Sequence, residues 1–309
     1  REQTTLTIES FEEPDRIYDA IRANDIISEL AIPKLNFTAV INKETYLSTI
    51  ARLRQHIADG DCYEINYCQQ FAATNATIDP LQVYHQLSAV SPTPFAAFYR
   101  NEDKYLLCAS PERFLKKSGE TLISQPIKGT FKRNLQNLTL DDMLKTALQN
   151  DPKERSENVM VVDLVRNDLS RVCLPGSVHV SELFGIYSFP QVHQMISTIE
   201  GTLKPGLSFS AILKALFPMG SMTGAPKESV MQLVDAYEPT PRGLYSGTIG
   251  YIAPNGDFDF NVVIRSIVYN ATQQHISYHA GSGITYYCNA ETEYQECLLK
   301  AEAMSAALS

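Results

Sequence analysis

Tyr105-Leu106-Leu107-Cys108 and Leu122-Ile123-Ser124-Gln125-Pro126-Ile127 decide the fold class. They lie in residues 94–127, a stretch that alternates as β-strand with no helical pattern inside it. Working outward, residues 62–71 alternate in the same way. Before them, Thr45 to Asp59 reads as an amphipathic helix with Leu47, Ile50, Leu53 and Ile57 in one stripe and Gly60 as its stop. Downstream, helices are expected at about 138–149, 152–169, 208–216 and 226–237, with strands near 178–200. A hairpin pattern covers 246–269 and turns at Pro254-Asn255-Gly256-Asp257; a strand at 274–280 precedes a last helix over about 291–306. Strands cluster instead of alternating one-for-one with helices, which predicts an α+β fold with mostly antiparallel sheets. Residues 1–40 read as irregular.

The 309 residues are 44% hydrophobic and 20% charged, the composition of a globular protein with a sizeable core. The net charge of −9 excludes nonspecific nucleic-acid binding, which needs a basic footprint. An acidic chain that handles an anionic substrate must place its few cations locally, and a divalent metal would help. No apolar run reaches membrane-spanning length. The start, Arg1 to Leu6, is no signal peptide, and the missing Met points to a trimmed form. Cys62, Cys68, Cys108, Cys173, Cys288 and Cys297 show no CxxC spacing. They are expected to be reduced thiols in a cytoplasmic protein. The Asn-x-Thr triplets at Asn36, Asn75, Asn137 and Asn270 are read as chance.

Two acidic helices stand out. Asp151-Pro152-Lys153-Glu154 opens a helix with an acid at the N-cap, Pro at N1 and Glu at N3, so Glu154 has a plain reading as a capping box. Glu157 shares a stripe with Val161, Leu164, Val165 and Asp168, the buried face, so its carboxylate points inward and needs a cation or partner. On the last helix, Glu293, Glu296 and Lys300 share one face, where an ordinary exposed Glu–Lys pair is the plainer reading. Together the two Glu pairs offer the hard oxygen ligands that Mg²⁺ prefers. Whether the two helices meet is left open.

Phe217 to Lys227 is a Gly-punctuated loop entering a helix with Pro226 at N1. It is either an anion-binding helix start or a tight turn. Ala280-Gly281-Ser282-Gly283 offers backbone N–H groups to a carboxylate. Arg265, in the apolar run Val262 to Ile267, pairs with an internal acid or binds a substrate carboxylate. Lys128 beside Gly129-Thr130, Glu112 beside Arg113, and His193 have bland readings too: a solvated turn lysine, a surface acid paired with that arginine, and a satisfied core histidine.

Taken together, these segments resemble the chorismate-utilising enzymes over roughly residues 43–307. The matching stretches are Gly60 to Tyr63, Ser110 to Phe114, Pro126 to Thr130, Asp151 to Asp168, Phe217 to Lys227, Tyr245 to Tyr251, Ile264 to Ser266 and Ala280 to Lys300. The resemblance implies a large sandwich of two mostly antiparallel sheets with helices outside. It divides the chain into a short N-terminal segment, 1–40, and a catalytic domain, 41–309. It implies that Glu157 and Glu296 bind Mg²⁺ directly, with Glu154 and Glu293 holding its waters. It places Tyr245, Arg265 and backbone N–H groups at Gly281 and Gly283 on the enolpyruvyl carboxylate. Thr130, Gly129 and His193 would line the ring, with Lys300 beside the metal acids.

Within that family, Lys128 in Pro-Ile-Lys-Gly-Thr marks the branch that aminates chorismate at C4. The anthranilate-forming branch has Ala there, and the isochorismate and salicylate branches carry a base lysine where this chain has Glu64. The resemblance implies that Lys128, rendered neutral by desolvation or nearby Mg²⁺, attacks C2 while Glu112 protonates the departing C4 hydroxyl. Ammonia then adds at C4. No cysteine sits in a Gly-x-Cys-x-Gly context, so ammonia is expected from a separate glutamine amidotransferase subunit. The alternatives are amination at C2 with pyruvate loss, giving anthranilate, or an inactive scaffold for an amidotransferase. The N-terminal part is shorter than in typical members, which places any aromatic amino-acid pocket in doubt.

Overall fold

A computed structural model describes residues 10–23 and 35–309. The chain divides into two compact units, residues 1–31 and 32–309. In the first, helix α1 (Pro14–Ala23) carries Asp15 in its first turn and Arg22 in its last, each at the end of the helix dipole that favours it. The segment expected to be irregular thus contains a helix; its residues 1–9 and 24–34 lie outside the described residues.

The second unit contains two seven-stranded antiparallel sheets. The first takes β1 (Thr38–Ala39), β2 (Glu64–Ala73), β3 (Phe95–Asn101) and β4 (Lys104–Ser110) from the front of the unit. The second takes the next block, β5 (Arg113–Ser118), β6 (Thr121–Gln125), β7 (Ile127–Lys132), β8 (His179–Ser188) and β9 (Val192–Thr202). Later strands distribute: β10 (Gly224–Ala225), β13 (Ser266–Asn270) and β14 (His275–Ile284) join the first sheet, β11 (Gly250–Ile252) and β12 (Phe258–Asn261) the second. Helices α2 (Lys43–Asp59), α3 (Pro80–Val90) and, at the end of the chain, α8 (Ala290–Ala306) pack on the first sheet. Helices α4 (Leu138–Asn150) and α5 (Pro152–Val172) pack on the second, and α6 (Phe209–Leu216) packs on α5; α7 (Lys227–Tyr237) follows β10. The α+β fold with antiparallel sheets expected from the clustered strands is found, and so is the two-sheet sandwich with helices outside that the resemblance implied.

The local chemistry explains most boundaries. Asn42 caps α2 by accepting from the Thr45 N–H, and Gly60 ends it in the left-handed region at φ 89°. Asp151 caps α5 by accepting from the Lys153 and Glu154 N–H groups. The same Asp-Pro signature at Asp79-Pro80 starts α3, a helix that the sequence reading passed over. The strand expected to run through Ile127 breaks at Pro126, which has no N–H to donate to a ladder. As a result β6 and β7 share one edge of β9: β6 pairs with residues 199–202 and β7 with 192–196.

The expected hairpin is shorter than read. β11 and β12 pair around the turn, but β13 crosses to the other sheet and pairs with β4 and β14. Between them Arg265 takes φ 51°, a left-handed turn that an apolar run does not announce. The chain also crosses between sheets at Glu112, between β4 and β5, and the two crossings touch: the Val262 N–H donates to the Glu112 carbonyl at 3.0 Å. The Phe217–Lys227 loop is tied into the first sheet. Its Gly224 pairs with Ile65 and its Ala225 with Glu64, and Pro226 is the N-cap of α7, not its first residue.

One buried ion pair clasps this region. Arg242 holds Glu238 through Nε at 2.8 Å and Nη2 at 2.7 Å, and also donates to the carbonyls of Met222 (2.6 Å) and Asn66 (2.9 Å). Glu238 Oε1 in turn accepts from the Cys68 N–H at 2.9 Å. All six cysteines are buried and free, as expected. No helix among the described residues is long and apolar enough to cross a membrane. Arg242→Met leaves Glu238 buried without its counter-charge and is expected to cost about 3–5 kcal/mol in urea unfolding; a loss below about 1 kcal/mol would show that the clasp does not hold β2.

Candidate active site

A bulge aims Lys128. Ile127 pairs with Ile196 and Thr130 with Gln194, so β7 carries one residue more than β9 over this step. Gly129 absorbs the extra residue at φ 90°, and a Cβ there would stand 3.1 Å from both Glu154 Oε2 and Leu148 Cδ1. The strand therefore lies against the start of α5. Lys128 Nζ donates to Glu64 Oε1 at 2.5 Å and stands 3.6 Å from Glu157 Oε2, with 13% of its side chain exposed. The solvated-turn reading of Lys128 does not hold.

Burial alone would pull the Lys128 amine down. The carboxylates of Glu64, Glu157 and Glu296 outweigh it, and the pKa is raised above the usual lysine range. The expectation that desolvation renders this amine neutral is corrected for the chain by itself: too many carboxylates face it.

The two acidic helices meet. Lys153 Nζ lies between them, 3.7 Å from Glu157 Oε1 and 3.6 Å from Glu293 Oε1. Burial, then the charge of Glu157, pushes Glu154 up to about 7. Burial also raises Glu157, against the pull of Lys128, and raises Glu293 with help from Glu296. Glu296 goes the other way: burial would raise it, but Lys300 at 2.7 Å lowers it. Lys300 also donates to the Gly281 carbonyl at 3.0 Å. The plain Glu–Lys pair is thus real for Glu296, while Glu293 is buried at 1% exposure. The capping box is only half made, because the Asp151 N–H is bonded to the Leu148 carbonyl and not to Glu154. The predicted inward stripe is found: Glu157, Val161, Val165 and Asp168 are buried, and Asp168 takes Lys227 at 2.6 Å.

Glutamate oxygens from two helix starts face each other, with Glu154, Glu157 and Glu293 raised in pKa first by burial and then by neighbouring carboxylates, and make a donor set suited to a hard divalent cation. Glu157 Oε1 is buried and accepts no hydrogen bond. Among the described residues no three His, Cys, Asp or Glu side chains already converge on one ion position. Two direct ligands with two more holding waters need no such convergence.

Glu112 is buried, and Arg113 does not pair with it: that guanidinium takes Asp259 at 2.9 Å through both Nε and Nη2, and Gln125. Burial pushes the Glu112 carboxyl up to about 7, against the Ser221 hydroxyl and the charge of Lys128. It can therefore carry a proton near neutral pH.

The remaining candidates divide. Arg265 makes no side-chain hydrogen bond or ion pair among the described residues; burial lowers its pKa, against the Tyr245 phenol and the Glu296 carboxylate. The internal-acid alternative is thus not realised. Tyr245 is buried, stacked on His279 at 5.0 Å. A Cβ at Gly283 would meet Lys128 Nζ at 2.7 Å and Glu64 Oε1 at 2.8 Å, and one at Gly281 would meet the Tyr67 carbonyl at 2.3 Å. Both glycines thus have a steric reason beside their backbone N–H groups. His193 is 2% exposed, with one ring nitrogen at Ser188 Oγ (2.8 Å) and the other at Asp141 Oδ1 (3.1 Å). Thr130 is exposed beside it on β7. Sequence reasoning missed Glu64 as the nearest partner of Lys128, Lys153 as the cation between the acidic helices, and Ser221 as a partner of Glu112.

The sign of the Glu112 effect on stability is testable. In the folded chain the carboxyl stays protonated up to about 7, whereas unfolded it ionises near its ordinary 4.5. Stability is therefore lost as pH rises through that window. Glu112→Gln should leave stability at pH 4 unchanged and raise it at pH 8 by on the order of 2–3 kcal/mol in urea unfolding. An equal effect at both pH values would mean that Glu112 is not held as the acid.

Residues 8–306 match the family described as chorismate binding enzyme. The chain is 39% identical over 287 residues to a probable aminodeoxychorismate synthase, chloroplastic, of Oryza sativa subsp. japonica, covering 92% of this chain and 32% of that one. It is 40% identical over 258 residues to aminodeoxychorismate synthase component 1 of Klebsiella aerogenes, covering 84% of this chain and 56% of that one. The crystal structure of anthranilate synthase component I from Streptococcus pneumoniae TIGR4 superposes with a TM-score of 0.83 at 30% identity, covering 94% of this chain and 64% of that one. The chain thus spans from a third to little more than half of these curated relatives. With two antiparallel sheets, a lysine on the β7 bulge and glutamates from two helix starts in the matched region, the chain belongs to the chorismate binding enzyme family.

Proposed function

We propose that this chain aminates chorismate at C4 to give 4-amino-4-deoxychorismate, a step toward p-aminobenzoate. One observation carries the reading: the lysine at position 128 is buried between the sheets in one acidic cluster, and its charge is felt by a buried acid, Glu112, that titrates at about 7. The relatives named aminodeoxychorismate synthase support it.

Lys128 passes one proton to a carboxylate that faces it and its Nζ bonds to C2 of the ring; the ring double bonds shift and the C4–O bond breaks. Glu112 gives its proton to the departing hydroxyl, which leaves as water. Ammonia then adds at C4, the Nζ–C2 bond breaks, and the lysine is returned. Splitting one difficult displacement into two is the gain from the covalent adduct. Glu157 and Glu296 would hold Mg²⁺, with Glu154 and Glu293 on its waters; when bound it supplies positive charge that offsets the carboxylates now holding Lys128 as an ammonium and the substrate's own carboxylate. Arg265, with Tyr245 beside it, is a cation without an acidic partner among the described residues and suits the second substrate carboxylate. The ammonia comes from a glutamine amidotransferase subunit.

The purified chain with chorismate, Mg²⁺ and an ammonium salt should yield a product with the mass of 4-amino-4-deoxychorismate. Glutamine should replace ammonium only when the amidotransferase is added. Lys128→Ala should abolish the product, and Glu112→Gln should slow it about 10²–10⁴-fold. Anthranilate as product would move the chain to the C2-aminating reading. No consumption of chorismate would leave the scaffold reading, and turnover of glutamine by the chain alone would refute the separate partner.

A further inference from the structure

We infer that Glu64 is the positioning residue for Lys128, and that Gly283 is glycine to leave room for the pair. The inference rests on the proposed reaction and adds a residue to it.

Lysine is a long, flexible side chain that loses rotamer freedom when it is fixed. At 3.6 Å, Glu157 attracts the ammonium but makes no hydrogen bond to it. Glu64 does, at 2.5 Å, with 6% of its side chain exposed. Its backbone is locked as well as its carboxylate. Glu64 is the first residue of β2 and pairs with Ala225 of β10. A Cβ on Gly224 would fall 1.9 Å from the Glu64 carbonyl, so the two strands approach as closely as a glycine allows. On the other edge Ile65 pairs with Ile284 and Asn66 with Gly283. Glu64 thus projects from a point where three strands fix the backbone, and it spans the space between the sheets to the β7 bulge. Adding one carbon at 283 would strike both Lys128 Nζ and Glu64 Oε1.

The test compares Glu64→Ala, Glu64→Gln and Gly283→Ala with the unaltered chain, using chorismate, Mg²⁺ and ammonium. Displacing Lys128 by about an ångström is expected to lower kcat about 10²-fold while KM for chorismate stays within about threefold. Glu64→Ala and Gly283→Ala should both behave so, the second with the Glu64 carboxylate still present. Glu64→Gln offers an amide oxygen in the same place and should recover kcat to within about tenfold. A Glu64→Ala enzyme with unaltered kcat overturns the inference, and so does a Glu64→Gln enzyme as slow as Glu64→Ala. If Glu64→Ala does not fold, a Gly283→Ala enzyme with unaltered kcat, or a Glu64→Gln enzyme slowed about 10²-fold, overturns the inference. Failure of the reaction itself looks different: the unaltered chain then makes no C4-aminated product, and the inference falls with it.

Discussion

A buried ammonium facing an excess of carboxylates organises this molecule. Lys128 sits between two sheets where burial disfavours its charge, and the acids around it more than reverse that cost. Glu64 comes from one sheet, Lys128 from the other, Glu157 from the helix that covers it, and Glu296 from a helix on the far side. Lys128 and the acids that hold it come from four different elements. Burial first, and neighbouring carboxylates after it, raise Glu154, Glu157 and Glu293, and Lys153 between the helices does not reverse this. A site built this way has room for further positive charge, which is the physical argument for a divalent cation.

The fold delivers these groups through irregularities in otherwise regular sheets. Lys128 owes its direction to a bulge and to Gly129, Glu112 lies where the chain passes from one sheet to the other, and Arg265 lies at the return crossing with a left-handed backbone. The Phe217–Lys227 loop holds the start of β2 through Gly224 and Ala225 and gives Ser221 to Glu112. The Arg242–Glu238 clasp fixes the same segment from behind. The candidate site residues therefore stand at strand ends and crossings, while the strand centres make the core.

Much of this was legible in the sequence where periodicity or capping chemistry spoke. The stripe through Glu157, Val161, Val165 and Asp168 announced an inward carboxylate, and Asp151-Pro152 and Gly60 marked helix ends. Asp79-Pro80 carried the same signal for α3 and went unread. The hairpin was overextended because Val262 to Ile267 is apolar throughout, and nothing local tells that Arg265 turns the chain out of one sheet into the other. Glu64 looked like a strand residue defined by what it is not; its partner is far along the chain and is reached only through the topology. The raised pKa of Lys128 was missed for the same reason, since its acids come from three separate segments.

The most direct test is to mix the chain with chorismate and Mg²⁺ in the absence of ammonia, quench, and analyse the Lys128 peptide by tandem mass spectrometry. The account expects Lys128 to carry the mass of chorismate less one water, and the adduct to disappear when ammonium is supplied. An unmodified Lys128 in an enzyme that goes on to make the aminated product would contradict it.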